Sequence, residues 1–299
     1  NVRAAEIGVS RIEKVTPPHG VTSAIGLRPP VPAAAPEFAR TVTGEIIARR
    51  GDQLPVSLMP VDGAFPTATS QYEKRATATE VPVWEPEACI QCNQCAFVCP
   101  HAAVRMKVYD AAYANGSAPA AFKSMDAKGR DWPGMKYTVQ VAVEDCTGCG
   151  VCAEICPAFV KVDGKKTERK ALNMAPLTDT LRAAEVANWD YFFALPELDP
   201  ASFNPLTVKG SQFIRPLFEF SGACPGCGET PYIKLMTQLF GDRAIIANAT
   251  GCTSITGGNL PTTPYAMRAD GRGPTWSNSL FEDAAEFGMG MRLTADKLV

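Results

Sequence analysis

The chain has 299 residues, enough for two ordinary domains with linkers between them. Its 29 Lys and Arg stand against 31 Asp and Glu, a formal charge of -2, which excludes the strongly basic footprint of a nucleic-acid binder. No window approaches the ~18 consecutive apolar residues of a membrane span, and Asn1 to Ser10 lacks the basic and apolar regions of a secretory signal. The expectation is a cytoplasmic protein with neither nucleic-acid nor membrane partners.

Residues 1–16 read as the close of an α/β unit: a short helical segment from Val2 to Ile7, a strand-like run from Ser10 to Val15, then Pro17-Pro18. We place the end of that domain over 1–27. The run from Leu27 to Pro36 is rich in Pro and Ala, which favours an extended connector, so 28–68 is expected to be a linker domain or arm.

An internal repeat follows. A shift of 57 places Cys89, Cys92, Cys95 and Cys99 on Cys146, Cys149, Cys152 and Cys156, and Pro100 on Pro157. In each copy a strand-like lead (Val81 to Trp84, Tyr137 to Val143) enters the Cys loop and a short helix follows; a polar insertion over roughly 105–136 separates the copies. A repeat implies a pseudo-twofold module, expected over 69–190.

C-x2-C-x2-C-x3-C-P, twice, is the two-cluster bacterial ferredoxin run, in which the fourth Cys of each copy ligates the other cluster. Cys89, Cys92, Cys95 and Cys156 are thus expected to hold one [4Fe–4S] cluster, and Cys146, Cys149, Cys152 and Cys99 the second. Disulfides and structural zinc are the alternatives; C-x-x-C spacing argues against a secreted disulfide framework, and a zinc ribbon needs pairs, whereas these are quartets closed by Pro. Gly148, Gly150, Ala96 and Ala153 leave room for the backbone to approach a cluster. His101 follows Cys99-Pro100 and is expected to tune solvation, not to ligate. Neither it nor His19 is given a catalytic role, and no catalytic residue is assigned.

After a second linker, about 164–215, the pattern becomes strand–loop–helix–strand. Thr230 can cap a helix over Pro231 to Phe240, and Ala244 to Ala249 reads as a buried strand ending at Thr250-Gly251-Cys252. This is the opening of an α/β domain over 191–299, with Cys224 and Cys227 in a Gly-rich loop and the Gly251-Cys252 pair at the carboxyl end of the strand, where such domains bind ligands. Three thiols leave a [4Fe–4S] site one short: it is completed outside these residues, bound by a non-Cys group, or unfilled, and Cys224-Pro-Gly-Cys227 could also serve as a redox dithiol. The start at Asn1 and the stop at Val299, after a helical run from Leu280 to Leu298, suggest a stretch of something longer.

Several strings together resemble pyruvate:ferredoxin (flavodoxin) oxidoreductase over nearly the whole chain: Pro60-Val-Asp-Gly-Ala-Phe-Pro66 with Gln71-Tyr-Glu-Lys-Arg75, the run Cys89 to His101, Phe220-Ser-Gly-Ala-Cys-Pro-Gly-Cys-Gly-Glu-Thr-Pro-Tyr232, Ala247-Asn-Ala-Thr-Gly-Cys252, and Gly273 to Asp283. The resemblance implies a multidomain α+β and α/β fold, with a two-cluster ferredoxin-like domain followed by the start of a thiamine-diphosphate-binding domain. It implies a homodimeric enzyme that oxidatively decarboxylates pyruvate with coenzyme A, uses thiamine diphosphate with Mg²⁺, and passes electrons through three [4Fe–4S] clusters to ferredoxin or flavodoxin. Cys224, Cys227 and Cys252 would match the proximal cluster, whose fourth Cys lies further along the polypeptide. Glu229 and Cys252 match thiamine-contacting positions, and Asn1 a CoA-contacting one. The Gly-Asp-Gly motif for Mg²⁺ and the pyruvate-binding domains are not in this stretch, which alone is expected to be inactive. A stand-alone two-cluster carrier, or a related 2-oxoacid oxidoreductase with another acceptor or substrate, are the competing readings.

Overall fold

The computed structural model describes all residues except 21, 22, 25, 27, 115 and 299. The expected boundary at Leu27 and one position of the 105–136 insertion lie outside the described residues. The chain opens on α1 (Val2–Ser10), which buries none of its residues. The strand expected over Ser10 to Val15 does not form: Ile12 and Val15 are exposed, and no strand among the described residues pairs with this run. A lone extended segment has no ladder to hold it.

In the arm, a π-type turn over Ala39–Thr43 continues into α2 (Gly44–Ile47), and Val31, Ala35 and Ala39 close a small core with Ile47 and Tyr72. The triplet Glu73-Lys74-Arg75 then ties three parts of the chain together. Lys74 Nζ lies 2.6 Å from Asp145 Oδ2, Arg75 Nη1 donates to the Ser221 carbonyl at 3.2 Å, and Thr262 Oγ1 donates to Glu73 Oε2 at 3.0 Å.

The repeat is built on two antiparallel ladders. β1 (Glu80–Trp84) pairs with β7 (Leu172–Pro176), and β2 (Val104–Asp110) pairs with β4 (Met135–Val141), which also takes the short β3 (Met125–Asp126). The lead strand of each copy therefore pairs with the trailing strand of the other. Two short helices, α3 (Gln94–Phe97) and α4 (Val151–Ile155), lie against each other at the centre. Their neighbours Val81, Val104, Met106, Val139 and Val141 share one core with Cys99 and Cys152.

Two expected connectors are structured. The insertion over 105–136 gives up both its ends, to β2 and β4. β2 is buried although it carries Arg105 and Lys107, because each cation finds an acid: Arg105 pairs with the fully buried Glu219, and Lys107 Nζ lies 2.8 Å from Glu197 Oε1. The linker over 164–215 holds β6 (Lys165–Lys170), which closes a hairpin with the preceding β5 (Phe159–Val162), then β7, α5 (Asp179–Ala194) and α6 (Val208–Ser211). Thr178 caps α5, its Oγ1 accepting from the Leu181 N–H at 3.2 Å, and Asp179 in the first turn suits the helix dipole. α5 buries Trp189 and Phe192 in the core of the repeat and runs through the boundary expected between 190 and 191.

The last part is mixed α/β: α7 (Thr230–Phe240), a parallel pair β8 (Ile245–Asn248) and β9 (Thr275–Asn278), α8 (Cys252–Gly257) and α9 (Ala284–Leu298). Thr230 is not the cap but the first residue of α7. Glu229 holds the cap position, and Pro231 sits in the first turn, where a missing N–H costs nothing. β8 is not fully buried, Ile245 being 54% exposed, because a two-stranded ladder covers only part of it. Among the described residues no helix is long and apolar enough to cross a membrane.

Candidate functional site

β1 and β4 each deliver the chain into a Cys loop whose backbone must turn sharply to present three thiols. Two positions in each loop take the left-handed conformation: Gln91 (φ 60°) and Asn93 (φ 62°) in the first copy, Gly148 (φ 69°) and Gly150 (φ 77°) in the second. These are the same positions under the repeat. In the second copy glycine meets the demand, and a Cβ on Gly148 would stand 2.9 Å from the Glu80 carbonyl. In the first copy ordinary side chains accept a strain of ~1–2 kcal/mol each, offset by buried hydrogen bonds. Gln91 Nε2 donates to the Asp126 carbonyl at 2.8 Å and its Oε1 accepts from the Lys128 N–H at 2.7 Å. Asn93 Nδ2 donates to the Lys209 carbonyl at 2.7 Å and its Oδ1 accepts from Tyr137 Oη at 2.9 Å. Neither residue was singled out from the sequence, although their register with Gly148 and Gly150 marks them.

The turns point backbone N–H groups at sulfur. Gln91 N–H donates to Cys89 Sγ and Gly148 N–H to Cys146 Sγ, each at 3.4 Å. One cavity is lined by Cys89, Cys92, Cys95 and Cys156 with Trp84 and Tyr137; a second is lined by Cys99, Cys146, Cys149 and Cys152 with Pro82 and Thr147. All eight thiols are free. Among the described residues no three His, Cys, Asp or Glu side chains converge on a point that would seat a single metal ion; the thiols line cavities instead.

Burial makes Cys89, Cys95, Cys146 and Cys152 hard to ionise by themselves. It pushes Cys146 up to about 12, against the opposing pull of the Gly148 N–H, and lifts Cys95 and Cys152 higher still, with neighbouring thiols adding to the effect. A buried thiolate needs a cation beside it. The cavities fit an iron–sulfur group in three respects: four thiols each, otherwise mostly apolar walls, and one buried donor with no hydrogen-bond partner, Trp84 Nε1 in the first and Thr147 Oγ1 in the second.

The two cavities are placed differently. A Cβ built on Gly226, within Cys224-Pro-Gly-Cys227, would lie 3.9 Å from Cys149 Cβ, so the second cavity abuts that turn. The first opens at Cys89 and the exposed Ile90 onto a broad groove that also meets Glu87, Lys128, Phe159 and Lys166. His101 lies against the second cavity, buried, its Nε2 2.8 Å from the Ala223 carbonyl; burial lowers its pKa, which the Ala223 carbonyl partly restores.

Of the remaining expected residues, Cys224 and Cys252 are exposed and Cys227 is half-buried. Burial raises the Cys227 thiol, but the Thr230 and Glu229 N–H groups at the start of α7, with the Thr230 side chain, outweigh it and leave the pKa lowered. Thr253 Oγ1 donates to Glu229 Oε1, which brings the start of α8 against this turn. The described residues close no three-ligand site there. Asn1 is exposed and makes no capping bond.

Lys234 escaped the sequence reading. It is 2% exposed on α7, and its Nζ donates to the carbonyls of Ala96, of Phe97 at 3.1 Å and of Cys99 at 3.3 Å, capping the end of α3. Burial pulls it down to about 8, while Cys99 and Cys95 oppose that shift. The buried face of α7 is polar (Thr230, Lys234, Thr237, Gln238) while Tyr232 is exposed; a polar residue every third or fourth position is the signal that was there to read.

These elements define a 4Fe–4S dicluster, ferredoxin-like domain, and residues 88–160 match the family model of a 4Fe-4S dicluster domain. Residues 25–78 match a second family, described as a domain of unknown function, EKR. Over nearly its whole length the chain is homologous to pyruvate-flavodoxin oxidoreductases, which are oxidoreductase enzymes. It is 54% identical over 298 residues to a putative pyruvate-flavodoxin oxidoreductase of Synechocystis sp., covering 99% of this chain and 24% of that protein. It is 52% identical over 298 residues to the pyruvate-flavodoxin oxidoreductase of Rhodospirillum rubrum, with the same coverage, and 50% identical over 297 residues to the pyruvate:ferredoxin oxidoreductase of Moorella thermoacetica, covering 99% and 24%. The chain thus spans about a quarter of the length of the curated relatives it matches.

Proposed function

We propose that this chain is the electron-conducting portion of a homodimeric cytoplasmic enzyme that oxidatively decarboxylates pyruvate with coenzyme A and delivers the electrons to ferredoxin or flavodoxin. The observation that carries this reading is the arrangement of two four-thiol cavities in series, one against the Cys224–Cys227 turn and the other opening to a surface groove. Cys99, Cys146, Cys149 and Cys152 would hold the inner [4Fe–4S] cluster and Cys89, Cys92, Cys95 and Cys156 the outer one. Cys224, Cys227 and Cys252 would contribute to a third, completed by a ligand outside this chain. Such clusters supply reversible one-electron chemistry at potentials set by charge, hydrogen bonds to sulfur and solvent exposure.

The protein's own part is placement. The left-handed turns hold the thiols, the crossed ladders fix one set beside the other, and Lys234 joins α7 to the helix between Cys95 and Cys99. Glu229 is proposed to contact thiamine diphosphate, whose Mg²⁺-binding residues lie elsewhere in the enzyme; Asn1 is proposed to contact coenzyme A. The test uses the full-length enzyme. Cys149→Ala should slow pyruvate-dependent reduction of ferredoxin or flavodoxin by at least tenfold while pyruvate decarboxylation in the absence of an acceptor continues; Glu229→Ala should suppress decarboxylation itself. Wild-type reduction rates in Cys149→Ala would remove the inner set from the route.

A further inference from the structure

The two halves of the repeat are alike in backbone and in the N–H each turn gives to its first thiol, so what differs between the cavities falls to side chains. One such difference is at Trp84. The 57-residue shift places it on Val141, a buried side chain with no polar atom. Trp84 is 5% exposed and lines the outer cavity together with Cys89. Its Nε1 is buried and has no hydrogen-bond partner. A buried donor left without a partner incurs the full desolvation penalty of the group.

Burial and packing hold the indole of Trp84 in place. Its backbone is locked in the β1–β7 ladder opposite Leu172, and its carbonyl accepts from Lys123 Nζ at 2.8 Å. Its ring stands edge-on to Tyr137, centroids 6.0 Å apart. Tyr137 cannot compete for the sulfur, since its hydroxyl is spent on Asn93.

We propose that the Trp84 indole N–H is a dedicated donor to Cys89 Sγ once that sulfur is an iron-bound thiolate, and that it raises the reduction potential of the outer cluster selectively. This rests on the iron–sulfur reading of the outer cavity. Reduction adds negative charge that spreads onto the cysteine sulfurs; a fixed donor stabilises that charge, and so favours the reduced state. Selectivity follows from position, because Val141 offers the inner cavity nothing equivalent, and Thr147 Oγ1, its own orphaned donor, stands where the outer cavity has Ile90.

The experiment uses the full-length enzyme, with iron and acid-labile sulfide counted before each measurement. In a redox titration followed by electron paramagnetic resonance, Trp84→Phe, which keeps a ring but removes the N–H, should shift one midpoint to lower potential and leave the others in place. In enzyme grown with indole-15N tryptophan, the reduced state should show a nitrogen hyperfine coupling that Trp84→Phe abolishes. Fluorotryptophan, a stronger donor of the same shape, should shift the same midpoint upward in the wild type and not in Trp84→Phe. Unchanged midpoints, or no indole coupling in enzyme with a full cluster count, would overturn the proposal. A wild-type enzyme lacking the outer cluster's iron would instead overturn the reading beneath it.

Discussion

Lys74 Nζ lies 2.6 Å from Asp145 Oδ2, and it reaches there from the segment that follows the arm, while Asp145 immediately precedes Cys146. The carboxylate is 2% exposed and the lysine 28%. Burial lifts the Asp145 pKa to about 6, with Lys74 pulling against it. Removing the cation strands a buried acid, so Lys74→Met should destabilise the protein by about 3 kcal/mol, the low end for a broken buried pair because the lysine is partly wet. Lys74→Met with Asp145→Asn should recover most of that loss. Anaerobic denaturant unfolding of the single and double variants measures both.

The left-handed turn at Asn93 separates strain from bonding. Asn93→Gly and Asn93→Ala both lose the bonds to Lys209 and Tyr137, but only alanine must hold φ near 62°. Asn93→Ala should therefore be less stable than Asn93→Gly by about 1 kcal/mol. Equal stabilities would mean that the turn relaxes once its side-chain bonds are gone.

Iron content distinguishes complete thiol sets from the incomplete one. Residues 1–299, reconstituted anaerobically, should hold about eight irons and eight sulfides firmly, as expected for two [4Fe–4S] clusters, and a third cluster only weakly. A chelator should strip the third first, since Cys224 and Cys252 are exposed. Stoichiometric zinc, or four irons in total, would contradict the assignment.

Cys99 lines the same cavity as Cys146, Cys149 and Cys152. Cys99→Ala should accordingly perturb the cluster of the second copy and spare that of its own. Mössbauer or electron paramagnetic resonance spectra showing loss of the Cys89 cluster instead would mean that each run closes its own site.

The grouping of eight thiols around two cavities is written in the spacing, because a fourth Cys four residues on, at the end of a short helix, is carried away from the first three. The connectors were harder to read. Arg105 and Lys107 make β2 resemble a solvated segment, and only the distant acids Glu219 and Glu197 explain their burial. Lys234 likewise breaks the rule that a helix hides its apolar side: its partners are carbonyls released at the end of α3, and such backbone acceptors leave no trace in residue type. The run over Ser10 to Val15 failed for the opposite reason, since a strand-like run gives a strand only where another strand stands beside it.

The crossed ladders also set a timetable for biogenesis. β1 ends at Trp84, but its partner β7 begins only at Leu172. At ~5–20 residues per second a ribosome needs roughly 4 to 18 seconds to make the intervening chain. Through that interval Cys89, Cys92 and Cys95 have emerged, yet neither the strand that shapes their cavity nor Cys156, which shares its wall, is in place. Neither half can be finished before the other is begun, so cluster delivery belongs after the synthesis of β7.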